Sequence, residues 1–425
     1  MANYVRHAAY FPAGRSDPVV IVGAGHAGGT LAALLRQQQF DGAITVVGDE
    51  PDPPYHRPPL SKKFTDDSMI QWLKPPDFYA DNDIELLLGV RATRIEPDAR
   101  RVYLDNGEYR RFGTVVIATG ATPRKLMVPG GDAAGVMSLR TIADARALGH
   151  AFERAHSLAV IGGGYVGMEV AAVARSTGIA VVVIEREKRI LSRVASAQLS
   201  ERLTEYHRSK GTRVITDFGV AGFRTAEGAV IAVEAEDGSV VPCDYALVGV
   251  GAVPNVELAQ QCGVACDGGI LVDRVGRTNV PGVLAIGDVT RRPHDALDGR
   301  YRLESIPSAV EQAKHAAAVI SRDVSGSHET PWFWSDQFDL KLKIAGLLEE
   351  GSTTIARLGD TPAAFALFHL RADGTVCAVE TANSPRDFMG GKRLIAARVP
   401  VDPVALADPG VSLRDVFATG SVIGG

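Results

Sequence analysis

Two glycine-rich stretches hold the residues with the most chemical promise. They are Gly23-Ala24-Gly25-His26-Ala27-Gly28 and Gly162-Gly163-Gly164-Tyr165-Val166-Gly167, both of the form G-x-G-x-x-G. Each follows an apolar run, Val19-Val20-Ile21-Val22 or Ala159-Val160-Ile161, and each leads into a stretch predicted as helix, residues 30–37 or 168–175. A second apolar run then ends in an acid: Ile44-Thr45-Val46-Val47 leads to Gly48-Asp49-Glu50, and Val181-Val182-Val183-Ile184 to Glu185. Asp49 and Glu185 lie 26 and 23 residues past Gly23 and Gly162, near the spacing of about 20 at which a carboxylate meets a ribose 2′-hydroxyl. The chemistry of such a unit is dinucleotide binding. Its first glycine (Gly23, Gly162) makes the turn, and its second (Gly25, Gly164) lets the backbone approach a pyrophosphate. The third (Gly28, Gly167) lets helix pack on strand, so that the phosphates rest on a helix N-terminus. A single such motif is weak in a glycine-rich chain, but here both copies sit between strand and helix and both carry the acid.

The elements that must position these turns repeat along the chain. Gly23 and Gly162 are 139 residues apart, about one domain. Three more buried strands are predicted to end in glycine, at residues 114–120, 245–251 and 283–288. The order implies an FAD-binding domain of residues 1–124 and 254–330, interrupted by an NAD-binding domain of residues 125–253. From Thr330 the composition shifts to Pro331-Trp332-Phe333-Trp334 and then to alternating runs such as Leu340-Lys341-Leu342-Lys343-Ile344, which predict a C-terminal sheet domain over residues 331–425. The fold class expected is α/β, two Rossmann-like nucleotide-binding domains followed by a C-terminal α+β domain.

Bulk properties agree and exclude several classes. At 425 residues the chain exceeds one core, and with roughly 100–200 residues per domain it calls for two to four. Its 46% hydrophobic and 22% charged residues are those of a globular protein. A net charge of −5 supplies no field for nucleic acid or an anionic membrane, so any docking patch must be local. No run of 18 apolar residues exists, so no membrane helix is expected. Four cysteines (Cys243, Cys262, Cys266, Cys377) argue for a reducing compartment, and the C-x3-C at Cys262 and Cys266 lacks a second ligand pair for a metal. Residues 1–17, with Arg6, His7 and Arg15, contain no apolar segment of a signal peptide and read as a loose extension. The expectation is a cytoplasmic monomer or weak homodimer.

Several longer motifs carry a family resemblance: Gly48-Asp49-Glu50, Tyr55-His56-Arg57-Pro58-Pro59-Leu60-Ser61-Lys62, Ser138-Leu139-Arg140-Thr141, Ala285-Ile286-Gly287-Asp288, Glu304-Ser305-Ile306-Pro307 with Glu311-Gln312-Ala313, and Pro331-Trp332-Phe333-Trp334-Ser335-Asp336-Gln337. Over nearly its whole length the chain resembles the bacterial FAD-dependent NADH:ferredoxin reductases of ring-hydroxylating dioxygenases and haem monooxygenases, with a glutathione-reductase-like fold. The resemblance implies FAD and NAD as cofactors, a 2Fe–2S ferredoxin as partner and a place in aromatic hydrocarbon catabolism. It implies that Asp49 holds the adenosine ribose of FAD, that Arg57 and Lys62 lie along the flavin, that Arg140 contacts the cofactor, that Asp288 binds the ribityl chain, and that Ile306 lies at the ring. The same cofactor-binding set takes in Ala92 and Trp334. His56 departs from the pattern, where many relatives have Asp or another residue. The Pro58-Pro59 pair suits a rigid arm presenting Arg57 and Lys62, because proline cannot continue a helix.

Disulfide reductases of this architecture need a reactive Cys pair, yet residues 48–73 and 121–241 contain no cysteine. Electrons are therefore expected to leave the flavin directly, and the resemblance makes a ferredoxin their acceptor. The alternatives are a rubredoxin reductase, an NADH oxidase or a redox-signalling flavoprotein. Three site expectations follow. Glu185 favours NADH over NADPH, with Arg186 beside it as a possible acceptor of the 2′-phosphate. The resemblance also implies that Lys62 and Glu169 pair as the catalytic residues near the reactive edge, and the residue pattern places Glu169 on the first turn of its helix, where the dipole favours a carboxylate. A ferredoxin docks near Trp334, steered by Lys314 and by Lys343 on the solvent face of its strand.

Overall fold

The computed structural model describes residues 16–294, 297–323 and 329–417, so Arg6, His7 and Arg15 lie outside the described residues. The chain forms two compact units. One comprises Met1–His56, Ile70–Thr122 and Val253–Glu329, and the other Arg57–Met69, Pro123–Ala252 and Thr330–Gly425.

In the first unit the β-branched runs form a parallel five-stranded sheet, ordered Val283–Ala285, Thr114–Ile117, Val19–Val22, Ile44–Gly48, Ile84–Leu88. Val19 lies in register with Thr114 on one side and Ile44 on the other. Both faces are covered, which is why the central strand is apolar throughout rather than alternating. Val19 and Ile21 pack against Leu31, Leu35, Ala313 and Ala316 of helices His26–Gln37 and Ile306–Ser321. Val20 and Val22 pack against Val102 and Leu104 of an antiparallel ribbon, Ala92–Glu96, Arg101–Leu104 and Tyr109–Arg111.

The second unit repeats the arrangement, with a parallel sheet ordered Arg213–Ile215, Ala180–Ile184, Ser157–Ile161, Tyr245–Val248, Val136–Met137. It also holds an antiparallel five-stranded sheet, ordered Trp332–Gln337, Leu340–Gly346, Val376–Ala382, Phe365–Leu370, Thr353–Leu358. Helix Pro385–Ala397 lies against one face of that sheet, burying Phe388, Leu394 and Ile395 against Ala345, Phe368 and Val379. The fold is thus α/β with a C-terminal sheet.

Two local predictions need correction. Both glycine-loop helices start earlier than the apolar pattern indicates, at His26 and Tyr165, because Gly25 and Gly164 take extended backbone angles and act as caps. Glu169 is therefore the fifth residue of its helix, one turn further in than the dipole argument assumed. Between Arg57 and Lys62 the chain forms a 3-10 turn, Pro58–Ser61, with proline at its first positions, where the missing N–H has no helical partner to lose.

Candidate functional site

In the first unit the candidate residues leave the carboxyl edge of the parallel sheet, where open α/β sheets bind ligands. Gly23 has φ +120°, and a Cβ there would lie 2.2 Å from the Ala118 carbonyl oxygen. A Cβ on Gly28 would come within 2.0 Å of the Gly23 oxygen, so the helix can pack this close only without a side chain. Asp49 directly follows strand Ile44–Gly48, is exposed, and pairs with Arg91 at 3.1 Å. Asp288 follows Gly287, whose N–H donates to Gln312 Oε1 at 3.0 Å while the Thr290 hydroxyl donates to the same oxygen at 2.7 Å. Ile306 opens its helix behind the cap Ser305. Ala92 opens the antiparallel ribbon and is buried. Motif reading missed one feature. The buried His26 of the loop lies 5.0 Å, ring to ring, from His56, and its Nδ1 has no partner among the described residues. Burial, aided by His56, pushes its pKa down to about 4, so the imidazole beside the loop is neutral.

In the second unit Gly162 has φ +101°, and a Cβ on Gly167 would reach the Gly162 oxygen at 2.5 Å. At Gly164 a Cβ meets only the Gly249 oxygen at 4.0 Å. The space beside it is open, as a backbone approached by a pyrophosphate requires. Glu185 is tied to this loop, since its Oε2 accepts from the Gly163 N–H at 2.7 Å and its Oε1 from the Glu187 N–H at 2.9 Å. Arg186 is exposed and pairs with Glu187 at 3.1 Å. These loops fit two dinucleotides.

Lys62 Nζ lies 2.8 Å from Glu169 Oε1, with the carboxylate almost wholly buried. Ser61 donates to Glu169 Oε2 and Ser335 to Oε1, the latter at 2.6 Å. Arg57 donates to the Arg140 carbonyl at 2.6 Å, and the Asp144 carboxylate accepts from the Arg140 and Thr141 N–H groups at 2.9 Å each. The structure thus brings together Lys62 with Glu169, Arg57 with Arg140, and the second loop with Glu185. Trp334 points away from Ser335 on its strand, lies with its ring 5.7 Å from that of Trp332 and tilted to it, and is in register with Lys343. Lys343 is not on a free solvent face as expected. It is half-buried, with its ammonium 5.4 Å from the Phe388 ring, because helix Pro385–Ala397 covers that side. Lys314, in the first unit, is exposed and lies 3.9 Å from Glu329.

Two acid-tipped glycine loops, each on its own parallel sheet, define a protein that binds two dinucleotides. The chain belongs to the pyridine nucleotide-disulphide oxidoreductase family, whose model matches residues 17–313, and residues 332–417 match the reductase C-terminal family. It is 40% identical over 402 residues to a probable ferredoxin reductase of Castellaniella defragrans, covering 94% of this chain and 98% of that protein. It is 38% identical over 413 residues to putidaredoxin reductase of Pseudomonas putida, covering 95% and 97%. Among solved structures, the covalent putidaredoxin reductase–putidaredoxin complex matches with a TM-score of 0.90 and 37% identity over 94% of this chain and 98% of that one.

Proposed function

We propose that this chain is an NADH:ferredoxin oxidoreductase that holds FAD on its first glycine loop and NADH on its second. Electrons pass from NADH to a 2Fe–2S ferredoxin of an oxygenase system. The observation that carries this reading is the match, over nearly the full length of both chains, to proteins named as ferredoxin reductases. FAD, when bound, supplies the chemistry that the side chains lack, taking a hydride as an electron pair and releasing electrons singly.

The chain's own residues bind and orient. Gly23, Gly25 and Gly28 seat one pyrophosphate, with Asp49 on the ribose, while Asp288, Ile306, Ala92, Arg57, Arg140 and Trp334 contact the rest of FAD. Gly162, Gly164 and Gly167 seat the other pyrophosphate. Glu185 accepts from the NADH ribose and disfavours a 2′-phosphate. Lys62 and Glu169 stand at the reacting rings, where the buried ion pair fixes a positive charge. Thiol chemistry is not used: burial raises the pKa of all four cysteines, that of Cys243 to about 11, which leaves them poor nucleophiles. Among the described residues no helix is long and apolar enough to cross a membrane, and the four free cysteines suit the cytoplasm. The ferredoxin docks near Trp334, and the exposed Lys314 is the cation that remains to steer it.

The test is a visible spectrum of the purified protein, which should show a flavin that bleaches on NADH, followed by NADH-driven reduction of cytochrome c through a 2Fe–2S ferredoxin. A colourless protein, or one that NADH does not bleach, refutes the assignment. Charge reversal at Lys314 should flatten the salt dependence of ferredoxin reduction while leaving ferricyanide reduction intact. An unchanged salt dependence places the dock elsewhere.

A further inference from the structure

Strand Trp332–Gln337 carries polar residues on a face that a sheet normally fills with apolar ones. Ser335 and Gln337 are both 0% exposed, and a buried hydroxyl or amide is costly unless fully bonded. Here each is bonded, and the bonds run in a line. His207 Nε2, on the buried side of helix Ala197–Ser209, lies 2.9 Å from Gln337 Oε1. Gln337 Nε2 donates to Ser335 Oγ at 3.1 Å, and Ser335 Oγ donates to Glu169 Oε1 at 2.6 Å.

The direction of the line follows from the histidine. A carbonyl oxygen only accepts, so the ring proton sits on Nε2 and Nδ1 is a bare lone pair. Nδ1 has no partner among the described residues. The reversed amide would accept from Ser335 and move the ring proton onto Nδ1, leaving a buried N–H without an acceptor, which is the costlier orphan. Burial also keeps the imidazole neutral, with its pKa pushed down to about 4. Gln337 must then offer its N–H to Ser335, and the Ser335 proton must turn to Glu169.

We infer that His207, Gln337 and Ser335 form a one-way hydrogen-bond relay that locks the Glu169 carboxylate against Lys62, making Ser335 and Gln337 positioning residues for hydride transfer. The inference rests on the proposed reading of Lys62 and Glu169 as the pair at the reacting rings. With Lys62 and Ser335 on Oε1 and Ser61 on Oε2, three donors hold the carboxylate in one orientation and so fix the lysine ammonium. An apolar strand would serve stability as well or better, so the polar line is explained by position rather than by strength.

The test uses the FAD-loaded enzyme, mixed anaerobically with NADH and followed by the loss of flavin absorbance. Ser335→Ala, Gln337→Leu and Gln337→Glu should each slow flavin reduction by about tenfold, as small misplacements at a reacting centre do, and leave the NADH Kd within about twofold. Ser335→Thr, which keeps the hydroxyl, should recover most of the rate. In a Lys62→Met background Ser335→Ala should add no further loss, because the group it positions is gone. A second readout needs no turnover: NMR of 15N-histidine protein should show His207 as the neutral Nε2–H tautomer, lost in Gln337→Leu and kept in Ser335→Ala. A wild-type His207 protonated at Nδ1 overturns the relay whatever the variants do. Equal losses from Ser335→Ala with and without Lys62 show a merely structural role and overturn it too. A slowed Lys62→Met enzyme beside an unaltered Ser335→Ala enzyme overturns the relay alone. An unaltered Lys62→Met enzyme overturns both the reading of the ion pair and the relay built on it.

Discussion

Replacing Glu185 with alanine should remove the proposed preference for NADH, and the size of the effect follows from counting bonds. An ionised carboxylate offers about four lone-pair sites. In Glu185 two are taken by the N–H groups of Gly163 and Glu187, at 2.7 and 2.9 Å. One of the remaining two suits the 2′-hydroxyl of an adenosine ribose. A hydrogen bond to a charged group contributes about 1.5–3 kcal/mol, which at about 1.4 kcal/mol per decade makes kcat/KM for NADH fall roughly ten- to a hundredfold. The same substitution removes the negative charge that opposes a 2′-phosphate, so kcat/KM for NADPH should hold steady or rise. Arg186 is occupied by Glu187, but that pair is exposed and weak, so a further Glu187→Gln change should raise NADPH use again. Steady-state rates with both nucleotides, using ferricyanide as acceptor, measure the ratio directly. If Glu185→Ala lowers NADH and NADPH efficiency by the same factor, the carboxylate acts only through the loop and the ribose argument fails.

Further outcomes follow from the same geometry. Gly164→Ala, which meets nothing nearer than 4.0 Å, should melt with the wild type yet bind NADH at least about tenfold more weakly, because its methyl stands where the pyrophosphate approaches. Gly167→Ala, 2.5 Å from the Gly162 oxygen, should instead lower the melting temperature. Glu380, wholly buried, accepts from the Ser196 N–H at 2.9 Å and lies 3.0 Å from His369 Nε2. Glu380→Ala should cost about 1–3 kcal/mol per orphaned donor and lower the urea midpoint by about 1 M, with Glu380→Gln losing less. The pKa values of His26 and His207 are lowered from 6.5 to about 4, so the unfolded chain takes up their protons at a higher pH than the folded one. Stability should be complete above about pH 6.5 and decline as the pH falls toward 4. His207→Gln should flatten that decline, and an unchanged slope in thermal melts at pH 7.5, 5.5 and 4.5 would count against a neutral buried His207.

What the sequence discloses here is local, and what it hides is long-range. Strand, glycine turn, helix and acid lie within about 30 residues of one another at Gly23 and at Gly162, so each nucleotide unit is legible. The alternation Leu340-Lys341-Leu342 also reads correctly, since the leucines are buried and Lys341 is exposed. The neighbouring Ser335 and Gln337 defeat the same rule, because they are polar and buried, satisfied by partners 166 and 130 residues away. Lys343 misleads for a similar reason, since the helix that covers its face begins at Pro385. Periodicity marks which residues share a face and is silent on what covers that face. The pairing of Lys62 with Glu169 follows from the family resemblance and not from periodicity, and nothing in the spacing indicates that Ser61 and Ser335 complete it.

The inner face of the C-terminal sheet bears on how this protein can be recombined with its relatives. Ser335 meets Glu169, Gln337 meets His207 and Glu380 meets Ser196. A hybrid spliced at Thr330 would take both ends of these pairings from different parents. Each mismatch would strand a buried polar group, so the crossover that looks cleanest in the sequence is a poor one. A graft of residues 330–417 should succeed only when helices Tyr165–Ser176 and Ala197–Ser209 travel with it.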